Sequence, residues 1–195
     1  AVVVNKDAPW NNLKEFEAAA KKEPGKLVFA SPAATSWLTF AMRNWFTGTG
    51  VQVKQVEYKS GGEAATAVLG GHADMTFLFP QNYAPMASAD KLKILAIGTK
   101  SDVYPNAPTF AEQGYEGNYY GWAAIAAPKG TPKEILDRLA AISEEIVKDP
   151  EYIKAIKNMN ATPDYSTGEA WMKQLKEQYA EMNKVLTDLG LTGNK

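Results

Sequence analysis

The fold turns on KLVFASPAATSWLTFAMRNWF, residues 26–46. Leu27, Val28 and Phe29 make a short apolar run of the kind a buried strand uses, whereas Trp37, Leu38, Ala41, Met42, Trp45 and Phe46 recur at helical spacing. Between strand and helix, Ser31-Pro32-Ala33-Ala34-Thr35-Ser36 supplies hydroxyls and small side chains. A helix start leaves its first backbone N–H groups unpaired beside the positive end of the dipole, so this corner suits a carboxylate or a phosphate. Serine and threonine before a helix are also what a plain N-cap requires. Both readings stand on the residues alone, with Ser31, Ala33, Ala34, Thr35 and Ser36 as candidate ligand residues.

Working outward, residues 1–4 are strand-like from the first position, as a chain cut inside a fold would be and as a mature N-terminal strand would be. Asn12 and Glu15 have the spacing of a capping box, opening a helix that Pro24-Gly25 stops. Beyond the central helix, Gly48 and Gly50 end it and residues 51–58 alternate as a strand. Ser60 and Glu63 form a second capping box, and Gly61-Gly62 lets the backbone approach whatever sits above that helix start. Ser60 and Gly61 are therefore a second candidate anion corner. Residues 74–79 form a strand ending at Phe79, a short helix follows over 83–88, and residues 91–98 read as a strand buried on both faces. Strands and helices alternate, which predicts an α/β fold with a parallel-rich sheet flanked by helices and ligands beyond the carboxyl ends of the strands. Further on, Thr109 and Glu112 form another box, residues 119–127 read as a long strand, and Thr131 caps a helix with the stripe Ile135, Leu139, Ile142 and Ile146. A helix from Pro150, a short strand over 162–165, and a last helix opened by Ser166 and Glu169 complete the chain.

Composition removes several function classes. In 195 residues, 21 Lys+Arg against 22 Asp+Glu leave a net charge of -1 with no basic stripe, which argues against nucleic acid. No apolar run approaches a membrane span, and AVVVNKDAPW lacks the features of a signal peptide. There is no cysteine, and the one histidine, His72, follows Gly70-Gly71 with no second ligand to make a metal site. No nucleophile elbow, phosphate loop or dinucleotide fingerprint is present. No catalytic residue, metal or cofactor is expected. Tyr58, Phe77, Phe79, Tyr83, Tyr119, Tyr120 and Trp122 gather near expected strand ends, where they suit either a cleft wall or a core.

Taken in order, PGKLVFASPAATS, YKSGGEAATAVLGGHADM, KLKILAIGTKSD, PNAPTFAEQGY and AAPKGTPKEILDRL resemble the substrate-binding proteins of tripartite tricarboxylate transporters, the Bug or TctC-like family. The resemblance implies a periplasmic-binding-protein fold of the two-lobe type, a small organic carboxylate held between lobes, and delivery to a membrane permease in the periplasm. It implies that the 31–36 loop offers backbone N–H groups and hydroxyls to the carboxylate, often through water. A sensor feeding a membrane kinase is the alternative on the same fold, and an enzyme is the third reading. Relatives of this kind carry roughly a hundred residues before the point matching Ala1, the size of a small domain. Residues 5–122 would then be the second lobe, and residues 1–4 and 123–195 the hinge and C-terminal part of the first. Where relatives often place an aspartate after the strand at Phe77, this chain has Leu78-Phe79-Pro80, which favours a more apolar ligand. An apolar stripe left bare by an absent half predicts a cover, so the chain is expected either to be a fragment or to form a homodimer that buries the stripe.

Overall fold

A computed structural model describes residues 1–33, 36–117, 119–188 and 190. Backbone proximity divides the chain into two compact units, Ala1–Gly121 and Trp122–Lys195. Unit 1 runs β1 (Val2–Asn5), α1 (Leu13–Lys22), β2 (Val28–Ser31), α2 (Trp37–Thr49), β3 (Lys54–Glu57), α3 (Gly61–Leu69), β4 (Met75–Phe77), α4 (Pro80–Ser88) and β5 (Leu92–Ala96). A 3-10 turn follows at Ala111–Gln113.

The sheet order is β3-β2-β4-β1-β5, with β2 parallel to β3 and β4, and β1 antiparallel to β4 and β5. Because β1 reverses direction between two neighbours, β5 points the same way as β2, β3 and β4. The carboxyl ends of those four strands share one edge. Period-two alternation sorts the strand side chains onto two faces. Val2, Val4, Phe29, Met75 and Phe77 join Phe16 of α1 and Met42 and Trp45 of α2 in one core, while Val3 and Ala30 join Ala64, Ala65 and Val68 of α3 and Tyr83 of α4 in the other. Alanines on α3 allow that helix to lie close to the sheet. The result is a parallel-rich sheet between two helical layers, as the alternation predicted.

One feature of the sheet follows expectation and another differs. Residues 1–4, read as strand-like, supply most of β1, paired on both sides and with Val2, Val3 and Val4 fully buried. Residues 91–98 are not buried on both faces of a parallel array. β5 closes the order beside antiparallel β1, and Lys93 extends its Nζ to the Ala8 carbonyl at 2.8 Å. A lysine at this position suits the last strand, where charge discourages further pairing.

Helix starts follow the capping rules closely. Asn12 Oδ1 accepts from Glu15 N at 2.9 Å, and the Glu15 carboxylate accepts from Asn11 N at 2.8 Å. Ser60 Oγ accepts from Glu63 N at 3.2 Å, and Glu63 accepts from Lys59 N at 3.1 Å. In both boxes the returning carboxylate takes the amide one residue before the cap. Thr109 and Glu112 bond reciprocally, at 2.9 and 3.1 Å.

Unit 2 contains α5 (Lys133–Ile146), α6 (Pro150–Asn158) and α7 (Gly168–Asp188). The strands expected over 119–127 and 162–165 do not form among the described residues. A strand needs a ladder partner for its N–H and C=O groups, and unit 2 has no described strand to provide one. Ile125 is accordingly 78% exposed. The cap of α5 is Pro132, while Thr131 Oγ1 donates to the Pro128 carbonyl at 2.8 Å, so the expected threonine cap is a local turn instead. Thr167, one residue past the expected Ser166, accepts from Ala170 N at 3.3 Å ahead of α7. The α5 stripe is helical as predicted but bare: Ile135, Leu139 and Ile146 are all exposed. On α7, Gln178 is buried and accepts from Trp122 Nε1 at 2.7 Å, beside an edge-to-face pair of Trp122 and Trp171. No helix among the described residues is long and apolar enough to cross a membrane.

Candidate functional site

The carboxyl edge of the unit 1 sheet brings together three helix starts. β2, β3 and β4 lead through short loops into α2, α3 and α4 respectively, so all three helices begin on the same side of the sheet. Capping consumes some of their first amides. Ser36 N donates to Ala33 O, Leu38 N to Ser36 Oγ, Glu63 N to Ser60 Oγ, and Asn82 N to Phe79 O. Among the described residues, the N–H groups of Trp37, Gly61, Gly62 and Gln81 meet no acceptor. These are the N1 and N2 amides that a helix start leaves outward, and α4 loses its own N1 donor to Pro80.

Side-chain contacts join the three starts. Trp37 Nε1 donates to Tyr120 O at 3.1 Å. The next residue, Gly121, lies under the Phe79 ring, where an added Cβ would come within 2.5 Å of the ring edge. From Phe79, α4 carries Asn82 against Gly61, where a Cβ would fall 2.8 Å from Asn82 Oδ1. The chain of contacts therefore passes from α2 through the 120–121 backbone to α4 and on to α3. Below it, Gly98 lies so close to Tyr119 that a Cβ would sit 1.9 Å from the Tyr119 carbonyl oxygen, and Tyr119 stacks on Phe110 with centroids 3.8 Å apart.

The sequence-derived candidates occupy distinct places in this arrangement. Ser36 and Ser60 are the N-caps of α2 and α3; each hydroxyl accepts from a backbone amide, which leaves its own proton to donate. Ser36 is half-buried, Ser60 exposed, and Gly61 and Phe79 half-buried. Phe79 is itself the N-cap of α4 and makes no side-chain capping bond. Ser31 lies beneath the corner. It is 0% exposed, and its hydroxyl lies 2.8 Å from Thr39 Oγ1, so it holds the loop from beneath. Ala33 is half-buried with φ of 90°. Ala34 and Thr35 lie outside the described residues. His72 is exposed in a turn after α3.

Sequence reading missed Thr39, Asn82, Trp37 and the 120–121 backbone as parts of this edge. Thr39 had a signal: it is a hydroxyl within the apolar stripe of α2, and such a group needs a partner when buried. Of the gathered aromatics, Phe77 and Tyr83 are core, Tyr119 is buried against Phe110, and Phe79 and Tyr120 line the edge. Burial drives the Tyr83 phenol well above its ordinary pKa, with nearby Tyr104 adding to it, so it stays neutral.

Comparison with known proteins agrees with this architecture. A curated relative from Cupriavidus necator, the UPF0065 protein in the gbd 5′ region, is 29% identical over 192 residues, 97% of this chain and 58% of the relative. A TctC solute-binding protein from Polaromonas, solved without ligand, superposes with a TM-score of 0.86 at 27% identity, covering 96% of this chain and 65% of that one. Two Rhodopseudomonas palustris proteins, one solved with adipate and one with malate, share the fold at TM-scores of 0.78 and 0.74, at 22% and 21% identity. They cover 97% and 95% of this chain, which in turn spans 64% and 65% of them. The chain thus spans little more than half the length of the curated relative. A family model for the tripartite tricarboxylate transporter receptor matches residues 1–191, and the chain belongs to that TctC family.

Proposed function

We propose that the chain is the ligand-holding part of an extracytoplasmic solute-binding protein that captures a small organic carboxylate, leaves it unaltered and passes it to a tripartite tricarboxylate-type permease. The observation that carries this reading is the edge where α2, α3 and α4 all begin. Outward amides at Trp37, Gly61, Gly62 and Gln81 and the hydroxyls of Ser36 and Ser60 present donors and positive dipole ends. Such a surface favours a carboxylate through many modest hydrogen bonds. Half-buried Phe79 and Trp37 give the same edge an apolar wall, which suits the methylene chain of a dicarboxylate. Relatives solved with adipate and malate lend support to that class.

On this reading Ser31, Ala33, Ala34, Thr35, Ser36, Ser60, Gly61 and Phe79 build the ligand corner, residues 5–122 form the second lobe, and residues 1–4 and 123–195 belong to the hinge and the C-terminal part of the first lobe. The family points to the periplasm. The bare stripe of α5 is a surface to be covered, and the expected homodimer would cover it; a chain that sediments as a monomer through the micromolar range counts against that form. The function is tested by a thermal-shift screen of C4 to C6 dicarboxylates with product analysis in parallel. Stabilisation with unchanged ligand is the expected result, and turnover of the ligand would overturn it.

A further inference from the structure

We propose that the buried hydroxyl pair Ser31–Thr39 is a latch that fixes the Ala33 carbonyl and, through it, the Ser36 amide, which makes Thr39 a positioning residue for the ligand corner. The inference rests on the reading of that corner as the carboxylate site. Ala33 has φ of 90°, in the region that an alanine enters only when its surroundings impose it. Its carbonyl is the point of imposition. The Ala33 carbonyl oxygen accepts from Thr39 Oγ1 at 2.7 Å and from Ser36 N at 3.2 Å, with Ser31 Oγ 3.4 Å away. The Thr39 proton is committed to that carbonyl, so the 2.8 Å contact between the two hydroxyls assigns Ser31 as donor to Thr39.

A relay results, running from Ser31 at the end of β2 through Thr39 in the first turn of α2 to Ala33 between them. Both hydroxyls are 0% exposed, so water does not compete for the Ala33 carbonyl from that side. Ser31 is anchored in turn, its carbonyl accepting from Tyr58 N at 2.9 Å and from Ala33 N at 3.0 Å. Ala33 is thereby tied to the ends of two strands and to a helix at once. The tie draws the Ala33 carbonyl inward beneath the helix start, and Ser36, the cap of α2, is held to that carbonyl by its own amide. The capping hydroxyl and the Trp37 amide then stand where an anion can meet them without a loop rearrangement at binding.

The test is Thr39→Val, which keeps the shape and removes the proton, read by hydrogen exchange at the Ser36 amide and by titration with adipate and with malate. The Ser36 amide should exchange about tenfold faster and dicarboxylate affinity should fall about tenfold, with both restored in Thr39→Ser. In an Ala33→Gly background the same change should do less than about threefold, because glycine holds a positive φ unaided. Loss of packing alone would cost the same in both backgrounds. Should Thr39→Val fail to fold, Ser31→Ala breaks the same relay from the strand side and carries the same expectations. Ser36 exchange at the wild-type rate in the variant overturns the latch. If neither dicarboxylate binds the wild-type chain, the function proposed above fails while the exchange result still decides the latch.

Discussion

Gly98→Ala probes the close approach that lays residues 119–121 across the carboxyl edge. The new Cβ would fall 1.9 Å from the Tyr119 carbonyl oxygen, and ordinary contact begins at 3.4 Å, so one backbone must yield by 3.4 − 1.9 = 1.5 Å. Neither partner is a flexible side-chain end. Overpacking of this kind costs about 1–3 kcal/mol. Displacing Tyr119 also disturbs its stack on Phe110, worth about 1 kcal/mol, and the Trp37 bond to Tyr120 O, worth about 1 kcal/mol. The expected loss is about 3–5 kcal/mol, or about 12–20 °C in Tm for a unit of this size. Urea and thermal unfolding should be followed by indole fluorescence in a background where Trp122 and Trp171 are Phe, so that Trp10, Trp37 and Trp45 report unit 1. Gly48→Ala is the control: it lies in α2 with nothing within 4 Å of a new Cβ and should add about 0.5–1 kcal/mol. A Gly98→Ala protein as stable as its parent refutes the account of how the edge is built.

Three further outcomes follow from the same geometry. Gly61→Ala meets the far end of Asn82, which can swing aside, so stability should change by less than about 1 kcal/mol while dicarboxylate affinity shifts several-fold; equal affinity with an unchanged Asn82 side-chain signal would contradict the arrangement. Glu17 is pushed up by burial, but hydrogen bonds from Lys21 and Tyr115, both at 2.5 Å, more than offset this and hold its carboxyl below the ordinary 4.5. A depressed carboxyl stabilises the fold above its unfolded pKa and loses that stabilisation as pH falls through the folded one, so Glu17→Gln should flatten the acid limb of stability below about pH 4.5 and cost about 1 kcal/mol at pH 7. At the other limb, burial, then Glu17, raises the Tyr115 phenol, whose contribution is complete below pH 10 and fades as pH rises above it; Tyr115→Phe should remove that fade.

Much of unit 1 was legible because its signals are local. Apolar runs, helical stripes and capping boxes at Asn12, Ser60 and Thr109 depend on neighbours within a few residues, and each formed where expected. The antiparallel insertion of β1 was not legible, since VVVN reads the same in either direction and only the pairing to Phe77 and Ala96 sets it. Residues 119–127 show the opposite failure. Their composition suits a strand, but they pair with no described strand, so propensity alone produced no sheet.

At the site, the helix starts and their serine caps could be read from spacing. What could not be read was which hydroxyl faces a ligand and which faces the core. Ser31 and Ser36 look alike in sequence, yet strand alternation turns Ser31 toward Thr39 and leaves Ser36 at the edge. Contacts between residues far apart in the chain, Trp37 with Tyr120 and Gly61 with Asn82, had no local signature.

The central claim is most directly tested by mapping amide ¹H–¹⁵N shifts during titration with adipate and malate, for the parent chain and for Ser36→Asp. Aspartate caps a helix as well as serine does but places a negative charge at the corner. The account predicts saturable shifts concentrated at Trp37, Gly61, Gly62 and Gln81, with affinity at least about tenfold weaker in Ser36→Asp and stability unchanged. Saturable binding that shifts other residues instead, or that Ser36→Asp leaves intact, would contradict it.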